Sequence, residues 1–145
     1  MKKLLLGVML LGISQHAQAW TQVAICGTGD ALGGVDVYTD GEGYIIQMLS
    51  MSDEDAPEEY RTNIGDLNPT YDINADLAKL SNGEQLQILL GKETSFQFGG
   101  ATTDAAFLNL KTHPKFSYEH NSMLSAGGTV YSLFCNSPEN MPNRN

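Results

Sequence analysis

The chain has 145 residues, of which 17 are acidic and 8 are basic, and its formal net charge is −9. This acidity argues against nucleic-acid binding and against docking on anionic lipid, because both present negatively charged phosphate groups. It favours basic or cationic partners instead, and the length suits one domain with a sizeable core.

The first 19 residues are arranged as a secretory signal peptide. Two lysines give a positive start, residues 4–13 are almost entirely apolar, and Ala-Gln-Ala at 17–19 matches the small-x-small pattern cut by signal peptidase. The apolar stretch is too short for a bilayer, which requires roughly twenty residues, and the residue directly after the cleavage point is Trp20 and not the cysteine of a lipoprotein. We predict removal of residues 1–19 and export of the mature chain, without membrane insertion, to the periplasm or the extracellular space.

The two cysteines, Cys26 and Cys135, lie near the two ends of the mature chain. In an oxidising compartment such a pair forms a disulfide. The bridge would close a loop of about 109 residues, to which the chain-entropy model assigns roughly 4 to 5 kcal/mol. It predicts that the first and last strands lie side by side.

The mature chain begins with three predicted strands, at residues 21–26, 35–39 and 44–49. Residues 35–39 alternate apolar and polar side chains, with both valines on one face. Asp-Gly-Glu-Gly at 40–43 is typical of a tight turn, so the second and third strands form the clearest hairpin.

Residues 27–34 contain glycines in the manner of a dinucleotide-binding fingerprint. That chemistry requires a helix N-terminus directly behind the glycines to hold the phosphates. Here the chain continues into the strand pattern of residues 35–39, so we predict a loop between strands.

Residues 51–74 lack a strong strand pattern and are rich in acidic and turn-forming residues. This predicts a surface excursion, with one helical turn capped by Ser52. Residues 74–80 predict a short helix with Asn74 as its N-cap, and the Asn-Gly at 82–83 either ends this helix or forms a hairpin turn.

Further strands are predicted at residues 86–90, 95–98, 105–110, 116–119 and 129–135. No helix of ten or more residues separates the strands, which argues against a parallel α/β fold. The predicted fold is mainly β, an antiparallel β-barrel or β-sandwich of about eight short strands with one or two short helical turns.

The predicted organisation therefore has three parts. A signal peptide at residues 1–19 precedes a single β-rich domain at residues 20–135. A flexible tail rich in Asn and Pro follows at residues 136–145.

Clustered carboxylates raise the question of a calcium site, because calcium prefers such oxygen ligands. Residues 72–76 have the alternating oxygen ligands that begin a calcium loop, but Leu77 stands in place of the required glycine and Gly83 in place of the bidentate Glu. The acidic segment 52–66 has no defined ligand spacing. We predict a solvated acidic loop and no cofactor, with calcium binding at 52–66 as the alternative.

The mature chain carries no recognisable catalytic motif. It has two histidines, His113 and His120, and neither a Gly-x-Ser-x-Gly elbow nor a His-Glu-x-x-His pair. We therefore predict that the protein is not an enzyme. A hydrolase with paired carboxylates stays an alternative, because the fold sets the separation of such a pair.

The segment Asp40-Gly41-Glu42-Gly43-Tyr44 resembles the Ser-Gly-x-x-Tyr loop of periplasmic lysozyme inhibitors, which are small β-barrel proteins. The resemblance covers five residues, departs at the first position, where Asp40 replaces Ser, and does not place the chain in that family. It implies a class of function, an exported acidic β-domain that blocks a basic cell-wall hydrolase.

We therefore expect an exported, non-enzymatic binding protein with a basic partner. Signal cleavage leaves 6 of the 8 basic residues against all 17 acidic residues, a net charge of −11 on a mature chain that begins at Trp20. The predicted partner contacts lie in the turn and in the acidic excursion: Asp40, Glu42, Tyr44, Asp53, Glu54, Asp55, Glu58, Glu59 and Tyr60.

A β-barrel that carries a small apolar ligand is the alternative binding function. It predicts an interior cavity. We expect this cavity to be lined by Phe96, Phe98, Leu108 and Phe134.

Overall fold

The computed structural model of the protein describes residues 19–29, 33–49, 57–64, 69–92 and 105–142. Within these ranges the fold is mainly β, with eight antiparallel strands in a nearly closed barrel, one α-helix and one 3-10 turn. This confirms the predicted class and decides for a barrel over a sandwich. The elements are β1 (Thr21–Gly27), β2 (Gly34–Thr39), β3 (Tyr44–Leu49), β4 (Glu58–Arg61), α1 (Ile73–Ser81), β5 (Leu86–Leu90), β6 (Ala106–Leu110), β7 (Ser122–Ala126), β8 (Thr129–Asn136) and the 3-10 turn Pro138–Asn140.

The strands follow one another around the barrel in the order β4-β3-β2-β1-β8-β7-β6-β5. Arg61 and Gly91 exchange two backbone hydrogen bonds of 2.8 Å, which join β4 to β5. Because neighbouring strands are antiparallel, the connections β1–β2, β3–β4, β5–β6 and β7–β8 share one end of the barrel. We call the opposite end, where α1 lies, the helix end.

Side chains from the inward positions of the strands fill the centre of the barrel. β5 shows the pattern most plainly, because Leu86, Ile88 and Leu90 are buried whereas Gln87 and Leu89 are exposed. An eight-stranded barrel is just wide enough for its inward side chains to fill the interior. The largest core side chains are Tyr44, Ile46, Tyr60, Ile88, Leu90, Leu108, Leu110, Leu124 and Leu133.

The predicted disulfide between Cys26 and Cys135 is confirmed. The two cysteines lie directly opposite each other on β1 and β8, with their Cα atoms 4.1 Å apart. Both are buried in the core. Only three residue pairs connect β1 with β8, against six between β1 and β2, so the disulfide closes a short seam between the first and last strands.

β4 lies within the segment predicted as a surface excursion, so that part of the prediction is wrong. The strand pairs in register with β3, opposite Ile45 to Met48. Its four residues include a single inward side chain, Tyr60, which is too short a pattern to produce a strand signal. Residues 50–56, including the predicted cap Ser52, lie outside the described ranges.

The helix predicted at residues 74–80 is present as α1, but its N-cap is Asp72 rather than Asn74. Asp72 Oδ1 accepts a hydrogen bond of 3.1 Å from the Ala75 backbone N–H, because a cap side chain reaches the residue three positions later. The Asn-Gly at 82–83 ends the helix, and Gly83 has a φ of +78°. Within the described ranges, no helix has the length and apolar character needed to cross a membrane.

The strand predicted at residues 116–119 is wrong, and the strand lies slightly later, at β7. The side chain of Asn136 holds the backbone of Ser117 from both sides, since its Oδ1 accepts from Ser117 N–H at 2.9 Å and its Nδ2 donates to Ser117 O at 3.0 Å. This segment is therefore bonded by a side chain instead of a strand. Gly127 and Gly128, with φ of +58° and +80°, form the tight turn between β7 and β8.

Two further predictions concern the chain beyond these elements. β8 runs one residue past the predicted domain end, to the buried Asn136. The flexibility of residues 136–145 stays a prediction, and the strand predicted at 95–98 lies outside the described ranges.

We predict that loss of the disulfide weakens the barrel at its seam. Replacement of Cys26 and Cys135 together by Ala should lower the free energy of unfolding by about 2 to 5 kcal/mol. Denaturant unfolding of the variant, and of the natural chain with and without reductant, measures the change. Equal midpoints in all samples would contradict a stabilising disulfide.

Candidate functional site

The predicted contact turn between β2 and β3 lies at the helix end and is held by its own side chains. Asp40 Oδ1 accepts hydrogen bonds of 2.9 Å from the backbone N–H groups of Glu42 and Gly43. Thr39 Oγ1 donates to the Gly43 carbonyl oxygen at 2.6 Å. The Asp40 carboxylate thus stabilises the turn itself, and Glu42 is the exposed acid of this segment.

Two other predicted contacts, Tyr44 and Tyr60, are core residues. Tyr44 is 1% exposed and Tyr60 is 2% exposed. Both stand at inward positions, Tyr44 on the same face of β3 as Ile46 and Met48. They stabilise the barrel and present no contact surface, which corrects their assignment as partner contacts.

Tyr44 also ties the barrel wall to the helix. Its hydroxyl donates to Asp76 Oδ2 of α1 at 2.7 Å, and its ring meets that of Tyr71 edge-on with 5.2 Å between centroids. Burial, and then the hydrogen bond to Asp76, raise the pKa of Tyr44 far above its ordinary value of 10.0. Burial likewise raises the pKa of Tyr71, which lies near Asp76 as well. The Tyr44 phenol therefore stays a hydrogen-bond donor at the helix end.

Glu58 and Glu59, two more predicted contacts, begin β4 at the end of the barrel opposite the helix. Glu59 Oε1 lies 2.6 Å from Arg61 Nε, and Glu58 Oε2 lies 3.6 Å from Lys92 Nζ. The Arg61 guanidinium also lies 5.2 Å from the centre of the Trp20 ring. These partly exposed pairs neutralise charge locally and are each worth about 1 kcal/mol or less.

The connections at the same end carry the other predicted acidic contacts. Segments 30–32, 50–56 and 93–104, which join strands there, lie outside the described ranges, and Asp53, Glu54 and Asp55 lie there with them. The sequence of these segments has six carboxylates and no basic residue. We call this end the acidic end and define it by Asp30, Asp53, Glu54, Asp55, Glu58, Glu59, Glu93 and Asp104.

The predicted lining of an interior cavity is corrected at Phe134. Leu108 points inward and is fully buried, but the Phe134 ring lies outside the barrel, directly over Gly27, in the space a Cβ atom would occupy. Phe96 and Phe98 lie outside the described ranges. Of the four predicted lining residues, the structure thus places one inside the barrel.

The position of Phe134 creates an outer aromatic cluster that sequence reasoning missed. Its ring lies 5.4 Å from that of Tyr118 and 5.8 Å from that of His120, and Tyr118 in turn contacts Phe116 at 4.9 Å. Strand parity carries a partial sequence signal, because residues 134 and 135 of one strand cannot both point inward, and the buried disulfide places Cys135 inside. Neighbouring strand residues point to opposite faces, so residue 134 must point outward.

A cleft of about 620 Å³ lies at the helix end, between the end of α1, the start of β1, loop 111–121 and the 3-10 turn. Its floor includes the buried Val23 and Leu80, and its rim includes His113 and Glu139. The His113 ring is fixed by a 2.7 Å hydrogen bond between Nε2 and the Glu119 carbonyl oxygen. Among the described lining residues Glu139 supplies the single carboxylate, so this cleft lacks the acid pair that glycoside hydrolysis requires.

Residues 72–76, whose sequence resembles the start of a calcium loop, are the N-cap and first turn of α1. Their carboxylates serve the fold, Asp72 as the cap and Asp76 as the acceptor from Tyr44. In the described part of the chain, no three His, Cys, Asp or Glu side chains are grouped closely enough to hold a metal ion. Calcium binding at 52–66 stays the untested alternative, since Asp53, Glu54, Asp55 and Asp66 of that segment lie outside the described ranges.

Comparison of the chain with protein-family models, with curated proteins and with solved structures found no match in any of the three.

We predict that the bond between Tyr44 and Asp76 stabilises the closed helix end. Tyr44→Phe should lower the free energy of unfolding by about 1.5 to 3 kcal/mol, because a partly buried hydrogen bond to a carboxylate is lost. Tyr118→Phe is the control, since Tyr118 is 72% exposed and should change stability by about 0.5 kcal/mol or less. Equal effects of the two variants in denaturant unfolding would sink this role.

The raised pKa of Tyr44 also predicts how stability depends on pH. The folded state holds the phenol proton more tightly than the unfolded chain, so this stabilisation is complete below pH 10.0, the ordinary pKa, and is lost as pH rises above it. Thermal melts between pH 8 and pH 11 should show a steeper alkaline loss in the natural protein than in Tyr44→Phe. Parallel curves would show that Tyr44 titrates normally.

Proposed function

We propose that the mature protein is an exported, non-enzymatic binding protein whose acidic end contacts a basic protein of the cell envelope, such as a cell-wall hydrolase. The observation that carries this proposal is the acidic sequence of the segments that connect strands at one end of the barrel. Three of the four connections at that end have six carboxylates and no basic residue in the segments 30–32, 50–56 and 93–104. Glu58 and Glu59 add two more at the start of β4.

The described cations near the acidic end strengthen this argument. Arg61 and Lys92 each lie within 4 Å of a β4 carboxylate, Arg61 beside Glu59 and Lys92 beside Glu58. They therefore offset the charge of β4 itself. The acidic sequence of the connecting segments supports an approaching cationic surface as the partner, because a field of one sign accelerates association and selects the partner.

The turn 40–44 supports the partner class less directly than the acidic end does. It lies at the helix end, its Asp40 carboxylate bonds its own backbone, and Tyr44 is buried. The two groups of predicted contacts therefore belong to opposite ends of the barrel. Export, the disulfide and a net charge of −11 on the predicted mature chain are consistent with an extracytoplasmic binding role.

The first test is capture of the partner. Purified mature protein, residues 20–145, is immobilised and exposed to envelope extract at low salt, and bound protein is released at high salt. We expect a basic protein that is retained at about 50 mM salt and released at about 500 mM, because salt screens contacts between exposed charges. Retention of no basic protein at low salt would refute the proposal.

Charge-neutralised variants locate the contact. Asp53→Asn, Glu54→Gln and Asp55→Asn together should weaken binding about tenfold, since three exposed ion pairs contribute about 1.5 kcal/mol. The matched control neutralises three exposed acids at the helix end, Glu42, Glu84 and Glu139, each to Gln. Both variants gain the same charge, so an equal loss of affinity would mean that net charge matters and the acidic end does not.

A further inference from the structure

The cleft at the helix end is enclosed by four separate segments of the chain. The start of β1 and the last turn of α1 form two of its walls, and loop 111–121 and the 3-10 turn Pro138–Asn140 form the others. Its volume of about 620 Å³ lies within the range of roughly 300 to 1,000 Å³ that is typical of small-molecule sites. The cleft is therefore large enough for an organic ligand and not only for water.

Hydrogen bonds between these segments fix the shape of the cleft. Asn140 Nδ2 of the 3-10 turn donates to the His113 carbonyl oxygen at 2.9 Å. Thr112 Oγ1 donates to the Leu80 carbonyl oxygen, in the last turn of α1, at 3.4 Å. The His113 backbone N–H donates to the Cys135 carbonyl oxygen at 3.1 Å, which joins the loop to β8 and its disulfide. The walls are thus bonded to one another without a ligand, and such a preformed site avoids the cost of ordering loops when it binds.

The lining combines an apolar floor with hydrogen-bond acceptors. Val23 and Leu80 are buried and form the floor. His113 Nε2 lies 2.7 Å from the Glu119 carbonyl oxygen. Because that oxygen can only accept, Nε2 carries the proton, and Nδ1 of the neutral ring is an acceptor. Glu139 adds the acceptor oxygens of a carboxylate. A ligand that matches this lining has an apolar body and a head group that donates hydrogen bonds.

The charge of the lining selects the sign of that head group. The last turn of α1 and its C-cap Asn82 line the cleft, and the C-terminal end of a helix carries partial negative charge. Glu139 adds a full negative charge, whereas none of the described lining residues is Lys or Arg. Lys79, the basic residue in the last turn of α1, is not part of the lining. The cleft therefore repels anions and attracts cations.

We propose that this cleft binds a small organic cation that carries a primary ammonium group on an apolar body. The ammonium group lies beside Glu139 and the end of α1, where its three N–H donors meet acceptors. The apolar body covers Val23 and Leu80. The site is at the opposite end of the barrel from the acidic end, and it does not depend on the proposed protein partner.

Three probes of similar size and different charge test the class of ligand. Phenethylamine is a cation, phenethyl alcohol is its neutral counterpart, and hydrocinnamate is an anion. Each is titrated into isotope-labelled mature protein in phosphate buffer with about 150 mM NaCl, which screens exposed charges, and backbone amide shifts are followed by NMR. We expect phenethylamine to bind with a dissociation constant on the order of 1 mM. The alcohol should bind at least about fivefold more weakly, and the carboxylate should not bind.

The position of the shifts distinguishes the cleft from the other acidic surfaces. We expect the largest shifts in the backbone amides of Ser81, His113 and Asn140, which line the cleft, and small shifts in β4. Largest shifts in β4, equal binding of the amine and the alcohol, or no shift with the amine at about 20 mM would each overturn the proposal.

A cation built into the cleft should compete with the ligand. Ser81→Lys places an ammonium group among the lining residues, at a helix end that tolerates a cation, and should weaken amine binding at least about tenfold. The matched control is Gln85→Lys, which adds the same charge at an exposed position outside the lining and should weaken binding less than about twofold. Melting curves first establish that both variants are folded, and equal losses would show that net charge, not the cleft, attracts the amine.

Removal of the carboxylate tests the ammonium contact itself. Glu139→Gln should weaken amine binding about threefold to fivefold, because one exposed ion pair is lost, and should leave binding of the alcohol unchanged. Glu84→Gln removes an exposed carboxylate outside the lining and is the control. An equal effect of both variants would contradict a contact at Glu139. Capture of a basic envelope protein tests the acidic end, and titration with phenethylamine tests the cleft, so the two proposals fail independently.

Discussion

Closure of the sheet between its first and last strands is the constraint on which the rest of the structure depends. β1 and β8 share three residue pairs, and the middle pair is the disulfide between Cys26 and Cys135. The bridge lies inside the barrel, so closure and core formation are coupled through the same side chains. It also sets which residues of β8 point outward, and therefore places Phe134 over Gly27 and creates the aromatic cluster beside it.

The remaining gaps in the barrel are closed by hydrogen bonds of other kinds. β4 and β5 meet through two backbone hydrogen bonds between Arg61 and Gly91. The helix end is joined to the wall by Tyr44 and Asp76. The Asp76 carboxylate is thus used to hold the fold, which is why acidity alone is a poor guide to function at this end.

Strands with a repeated pattern of apolar residues could be predicted from the sequence. Segments whose structure depends on a single contact could not. Alternation of apolar residues predicted β2, β3, β5, β6 and β8 because each buries one face over five or more residues. β4 was not predicted because its four residues include one inward side chain. β7 was not predicted because its outward Met123 interrupts the alternation of apolar and polar residues. The segment 116–119 has strand composition, but its backbone is bonded by the Asn136 side chain, a contact that no local pattern encodes.

The same distinction between local pattern and three-dimensional arrangement applies to the predicted partner contacts. Burial of Tyr44 and Tyr60 follows from strand parity, which the sequence contains once the hairpin is correctly placed. That three acidic connecting segments all join strands at one end is instead a property of topology, because it depends on eight strands that alternate in direction.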